Sequence, residues 1–76
     1  MIKVIKTGDI FQKGNKYLAI GETKSSNVYA YAFSTLGKPT KIPKVEGGTS
    51  TAHFGGLLAF INREGYTFVD CLKTYD

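Results

Sequence analysis

The stretch Phe54-Gly55-Gly56-Leu57-Leu58-Ala59-Phe60-Ile61-Asn62-Arg63-Glu64-Gly65-Tyr66-Thr67-Phe68-Val69-Asp70-Cys71-Leu72 changes its apolar period midway. Phe54, Leu57, Leu58 and Ile61 fall at i, i+3, i+4 and i+7, one face of a helix. Arg63 stands where a cation suits the helix dipole, and Gly65 is the expected left-handed cap. From Tyr66 to Leu72 the alternation has period two, which predicts a strand, with Tyr66, Phe68 and Leu72 on one side and Val69 and Cys71 on the other. Upstream, Thr49 or Ser50 is the natural N-cap, since a hydroxyl accepts from an orphan helical N–H. That places His53 in the first helical turn.

Everything before this helix reads as strand and turn. Ile2 to Lys6 alternates apolar and basic residues and predicts a strand. Thr7-Gly8-Asp9 is a turn or bulge, and Ile10-Phe11 extends that strand or begins another. Lys13-Gly14-Asn15 is a second turn, followed by a strand over Lys16 to Gly21. The polar run 22–27 suits a hairpin connection. Val28 to Phe33 is the clearest strand. Tyr29, Tyr31 and Phe33 share one face; Val28, Ala30 and Ala32 share the other. Pro39 and Pro43 bracket Thr40-Lys41-Ile42 and assign that segment to a sheet edge, because proline cannot donate to a ladder.

The expected fold is α+β: a small antiparallel sheet of about four to five strands, one helix on one face, in the order β, then α, then β, within a single domain spanning 1–76. The helix is expected on the small Ala30/Ala32 face. Close packing there offsets Gly55-Gly56, each of which costs about 1 kcal/mol relative to alanine in a helix interior; close approach of a ligand or a second subunit is the alternative. With apolar residues on both sides of the strands, the uncovered face predicts a homo-oligomer, unless the segment 36–48 folds over it.

Composition bounds the function. The chain has 76 residues with 42% hydrophobic and 21% charged, too apolar for a disordered tail. No apolar run approaches the roughly 18 residues of a membrane span, and the start lacks a signal-peptide pattern. One cysteine excludes an intrachain disulfide, so a cytoplasmic setting is the expectation. The net charge of +4 is uneven: +6 over residues 1–44 and −2 over 45–76. Lysine excess is either a solubilising coat or a positive field aimed at an anionic partner. The scarcity of arginine disfavours bidentate base reading in DNA.

The candidate site is the glycine–hydroxyl loop. Gly47 and Gly48 allow a concave row of backbone N–H groups, and Thr49, Ser50 and Thr51 follow at the expected helix start. Lys41 and Lys44 precede it and supply charge, and Tyr29 or Tyr31 supplies a stacking ring. Together these are the parts of a phosphate and base site, without Walker A spacing. An ordinary loop and N-cap is the alternative. His53 and Cys71 make no evident nucleophile–base pair, and neither an acid–base carboxylate pair nor a metal-ligand spacing is present, so no catalysis, metal or cofactor is expected.

The segment Leu57 to Val69 resembles the leucine-rich helix, Glu-Gly-Trp turn and following strand of small uncharacterised bacterial and phage α+β families, with Tyr66 in place of the usual Trp. The resemblance implies helix, turn and strand, and no defined activity. The compact, lysine-rich, leaderless format is similar to small phage-encoded inhibitors of host defence, some of which are oligomers that sequester nucleotide signals. That similarity implies a viral protein acting as a sequestering antagonist in the host cytoplasm. The expectation is a non-enzymatic oligomer that captures a small anionic, nucleotide-like ligand. The alternatives are an inhibitor or adaptor whose basic face meets an acidic protein, and a single-stranded nucleic-acid binder using the Tyr29/Tyr31/Phe33 face.

Overall fold

The computed structural model describes residues 1–23, 25–44 and 50–75. Among the described residues, five strands, β1 (Asp9–Lys13), β2 (Lys16–Gly21), β3 (Val28–Ser34), β4 (Ser50–His53) and β5 (Thr67–Cys71), form one open antiparallel sheet. The strand order is β4-β3-β2-β1-β5. The one helix among the described residues, α1 (Phe54–Glu64), carries the chain from the β4 edge back across the sheet to the β5 edge. This is the expected α+β fold. The short connections after β1 and β2 leave only an antiparallel neighbour within reach, and β4 continues the meander after the longer segment 35–49. The tightest is Gly14-Asn15, closing Lys13 against Lys16.

The helix face of the sheet carries the core. Ile5, Phe11, Leu18, Ile20, Leu57, Ile61 and Tyr66 are buried together there. Ile61 is fully inaccessible, and truncating such a residue to alanine costs about 2–5 kcal/mol. Gly65 closes α1 in the left-handed region at φ 79°, as expected, and the Tyr66 N–H returns to the Ile61 carbonyl.

The structure differs from the sequence expectation in five places. Ile2 to Lys6 is not a strand. Both sides of β1, the strand this segment leads into, are taken by β2 and β5, so it cannot pair beside β1. It is held by the Asn62 side chain instead, and Ile5 inserts into the core.

The helix begins later than expected. Its N-cap is His53, with no side-chain capping bond, because β3 pairs with Ser50–His53 and keeps those residues extended. Ser50 and Thr51 therefore belong to a strand, and His53 ends that strand instead of lying in the helix.

The helix also lies on the other face. Tyr29 packs on Phe54 and Phe33 on Phe60, with ring centroids 5.7 Å and 6.2 Å apart, so the aromatic side of β3 meets α1. Large side chains fill the space between a helix and a sheet; the alanines would leave voids. Gly55 and Gly56 are exposed, and a Cβ on either would meet nothing within 4 Å. The close packing expected to offset them is absent.

The proline-bracketed segment crosses the alanine face, not the sheet edge. A Cβ on Gly21 would stand 2.6 Å from the Pro43 carbonyl oxygen and 3.4 Å from Ala30 Cβ. Ile42 is buried, donates its N–H to the Thr74 carbonyl at 2.7 Å and forms a lone parallel bridge with Tyr75. The chain thus covers with its own segment part of the face whose exposure motivated a second subunit.

Finally, β5 does not alternate cleanly. Ile10 pairs with Asp70 and Phe11 with Phe68, so Val69 is an extra bulged residue. Phe68 keeps its place opposite Phe11, with ring centroids 5.9 Å apart, and both Phe68 and Val69 are exposed.

Candidate functional site

The residues singled out from the sequence fall on two sides of the sheet. Tyr29 and Tyr31 are half-buried on the helix side, Tyr29 against Phe54 and Tyr31 against Phe33 at 5.6 Å. Ser50, paired with Tyr31, shares that side. Thr51 is paired with Ala30 and so faces the opposite side, where Lys41 and Pro43 also lie over the alanines. Lys44 is exposed directly after Pro43. Gly47, Gly48 and Thr49 lie outside the described residues. The tyrosines and Lys41 are therefore not brought together, because successive side chains of β3 point to opposite faces.

A different cluster does converge. Between α1 and the β3–β4 end of the sheet is an open groove of about 350 Å³, lined by Tyr31, Phe33, Ala52, Gly56, Leu57, Phe60 and Arg63. Its rings form a continuous row. Tyr31 meets Phe33 edge-on, Phe33 meets Phe60 at 6.2 Å, and Phe60 meets the buried Tyr66 at 5.9 Å. Phe33 is 43% exposed while its ring meets Tyr31 and Phe60.

Two cations stand over these rings. Lys16 Nζ is 4.2 Å from the Phe33 centroid, and Arg63 Cζ is 5.6 Å from that of Phe60. Each contact contributes about 0.5–1 kcal/mol at an exposed site and keeps positive charge beside an aromatic surface. Glu64 is the nearest carboxylate in sequence, and it is engaged. Lys13 Nζ binds its Oε1 at 3.1 Å and Arg63 Nε its Oε2 at 3.5 Å. The Lys13 hydrogen bond, then its charge, hold the Glu64 pKa below the ordinary value. The groove rim is net positive.

Gly56 leaves room in this groove that a side chain would take. In the sequence, Phe33 belongs to the aromatic strand face that could stack bases, and Arg63 is a helix-dipole partner. Phe60 lies beside the buried helix stripe. A local signal existed, since Phe60 and Arg63 are three apart on a helix and meet on its surface. The Lys16–Phe33 contact needed the β2–β3 register, in which Tyr17 pairs with Ser34.

The titratable residues with nucleophilic or basic potential are far apart. His53 ends β4 at one edge and Cys71 ends β5 at the other, four strand spacings or about 19 Å away. Among the described residues no three His, Cys, Asp or Glu side chains gather into a metal-sized cluster. Among the same residues no helix is long and apolar enough to cross a membrane. Comparison with protein families, with curated proteins and with solved structures returned no match to this chain.

Proposed function

We propose that the protein is a non-enzymatic binding protein that captures a small anionic ligand with a planar ring, a nucleotide being the class that combines both features. The groove between α1 and β3–β4 is the site. The observation that carries this reading is the placement of Lys16 and Arg63 over Phe33 and Phe60. In it, the ligand ring stacks against Phe33 or Phe60 and the edge of Tyr31. Arg63 offers a planar fork to a phosphate, and Lys16 adds a point charge. Ser50, the strand partner of Tyr31, is on the same side of the sheet. A protein that holds such a ligand without converting it acts by lowering its free concentration, the sequestering role implied by the format resemblance.

Base–aromatic stacking contributes about 1–3 kcal/mol by alanine substitution. Calorimetric titration at low salt with a panel of mono-, di- and cyclic nucleotides tests the reading. At least one member is expected to bind, with Phe33→Ala and Arg63→Ala each weakening it roughly tenfold or more. A folded protein that binds no member of the panel overturns it.

A further inference from the structure

We infer that the hollow on the alanine face of the sheet is a second binding site, for a small aliphatic carboxylate whose chain lies on the alanines and whose head meets Lys41.

The hollow follows from how the proline-bracketed segment crosses the sheet. Register places Asp70, Ile10, Ala19 and Ala32 in one row across β5, β1, β2 and β3, on the face opposite the helix. The crossing segment is fastened at both ends of its course. Lys38 Nζ bonds Asp70 Oδ2 at 2.7 Å, at the β5 end of that row. Further along, Pro43 stands against Gly21, and the Ile42 N–H donates to the Thr74 carbonyl at 2.7 Å. Between these ties, Pro39, Thr40 and Lys41 share with Ala19 and Ala32 the lining of a hollow of about 340 Å³. Alanine side chains are too short to fill the space under the segment. The volume lies at the small end of the range for small-molecule sites.

The lining selects the ligand. Ala19, Ala32, Pro39 and Pro43 offer saturated carbon and no aromatic face. Phe33 is the one ring among the lining residues, and Lys16 Nζ already stands 4.2 Å from its centroid. A stacked base therefore suits the groove on the helix side, and an aliphatic chain suits this one. Among the described residues no Asp or Glu lines the hollow, while two lysines do. Lys38 is matched by Asp70. Lys41 is exposed and has no ion pair among the described residues. A lysine stem covers apolar surface while its ammonium stays in water, so Lys41 can flank the chain and still meet a carboxylate at the mouth. An apolar floor with one unmatched cation at its border complements an apolar body ending in one negative charge.

The test is calorimetric titration of the intact protein with hexanoate, octanoate and decanoate, all below their micelle concentrations, with 1-octanol as the uncharged control. Affinity is expected to rise roughly tenfold from hexanoate to octanoate as two more methylenes are buried. Octanol is expected to bind about fivefold or more weakly than octanoate, since it lacks the charge-assisted bond. Lys41→Ala is expected to remove that difference while leaving octanol unchanged. Ala32→Leu fills the hollow and is expected to abolish binding of both. Amide NMR of the unaltered protein fixes the site whether or not that variant folds: octanoate is expected to shift Ala19, Ala32 and Thr40. Arg63→Ala is expected to keep octanoate and lose the nucleotide, so the two sites fail separately. No binding of decanoate at about 1 mM overturns the inference. So does octanol binding as tightly as octanoate, or shifts confined to Tyr31, Phe60 and Arg63.

Discussion

The Asn62 side chain closes a two-bond ring on the backbone of Ile2. Its Oδ1 accepts from the Ile2 N–H at 2.9 Å, and its Nδ2 donates to the Ile2 carbonyl at 2.8 Å. A single side-chain amide thereby does for the amino-terminal segment what a strand neighbour does elsewhere in the sheet. It brings Ile5 into the core without a sixth strand.

Replacing Asn62 by alanine removes both bonds and releases residues 1–5 from the helix. The expected cost is about 1–3 kcal/mol. Asn62→Asp retains the acceptor and loses the donor, so it should fall between. Urea unfolding of the three proteins checks the order, and fast amide exchange at Ile2 in Asn62→Ala checks its cause.

Gly55 and Gly56 stand in the first turn of α1 with open space where a Cβ would be. Alanine at either position should stabilise the protein by about 0.5–1 kcal/mol. The two should part company in binding. Gly56 lines the groove and Gly55 does not, so Gly56→Ala gains stability while weakening the nucleotide, and Gly55→Ala gains stability alone. Denaturant titration paired with calorimetry reads both effects.

Gly21 is tight for a different reason. A methyl group there collides with the Pro43 carbonyl oxygen at 2.6 Å, so Gly21→Ala must push the covering segment off the alanine face. The expected cost is about 1–3 kcal/mol. Hydrogen exchange should report it first at Ile42, whose N–H bonds Thr74 in the native protein.

Acid should loosen two ties at once. Asp70 is held below its ordinary pKa first by the Lys38 hydrogen bond, at 2.7 Å, and Glu64 by Lys13. A folded pKa below the unfolded one stabilises the protein fully above the unfolded value. That contribution is lost as pH falls through the folded value. Melting temperature should therefore hold steady from pH 8 to about 5 and decline below about pH 4, where the unfolded carboxylates protonate. Asp70→Asn and Glu64→Gln should each flatten the decline. Both pairs are exposed, so 0.5 M salt should shrink the effect.

The residues that carried the aromatic groove were legible one at a time and not as a site. Tyr31 and Phe33 announced a ringed strand face through alternation alone. Which neighbour that face meets depends on whether helix or covering segment lies over it, and side-chain volume decides this only once both are present. The glycine–hydroxyl run shows the converse. Ser50 and Thr51 have good capping side chains, yet β3 recruits them into β4 because a ladder of backbone bonds outweighs one side-chain cap.

Local pattern was enough for the α+β class, the β2, β3 and α1 segments and the Gly65 stop, since periodicity and a left-handed glycine act within a few residues. It was also enough for the uneven charge. Which face of the sheet the helix covers, the fate of Ile2 to Lys6, the bulge at Val69 and the pairing of Lys16 with Phe33 were decided only by the tertiary structure. Each depends on competition among distant segments for a fixed number of strand edges and for two unlike faces. That competition is settled by packing volume and long-range backbone bonds, and neither is encoded in the spacing of neighbouring residues.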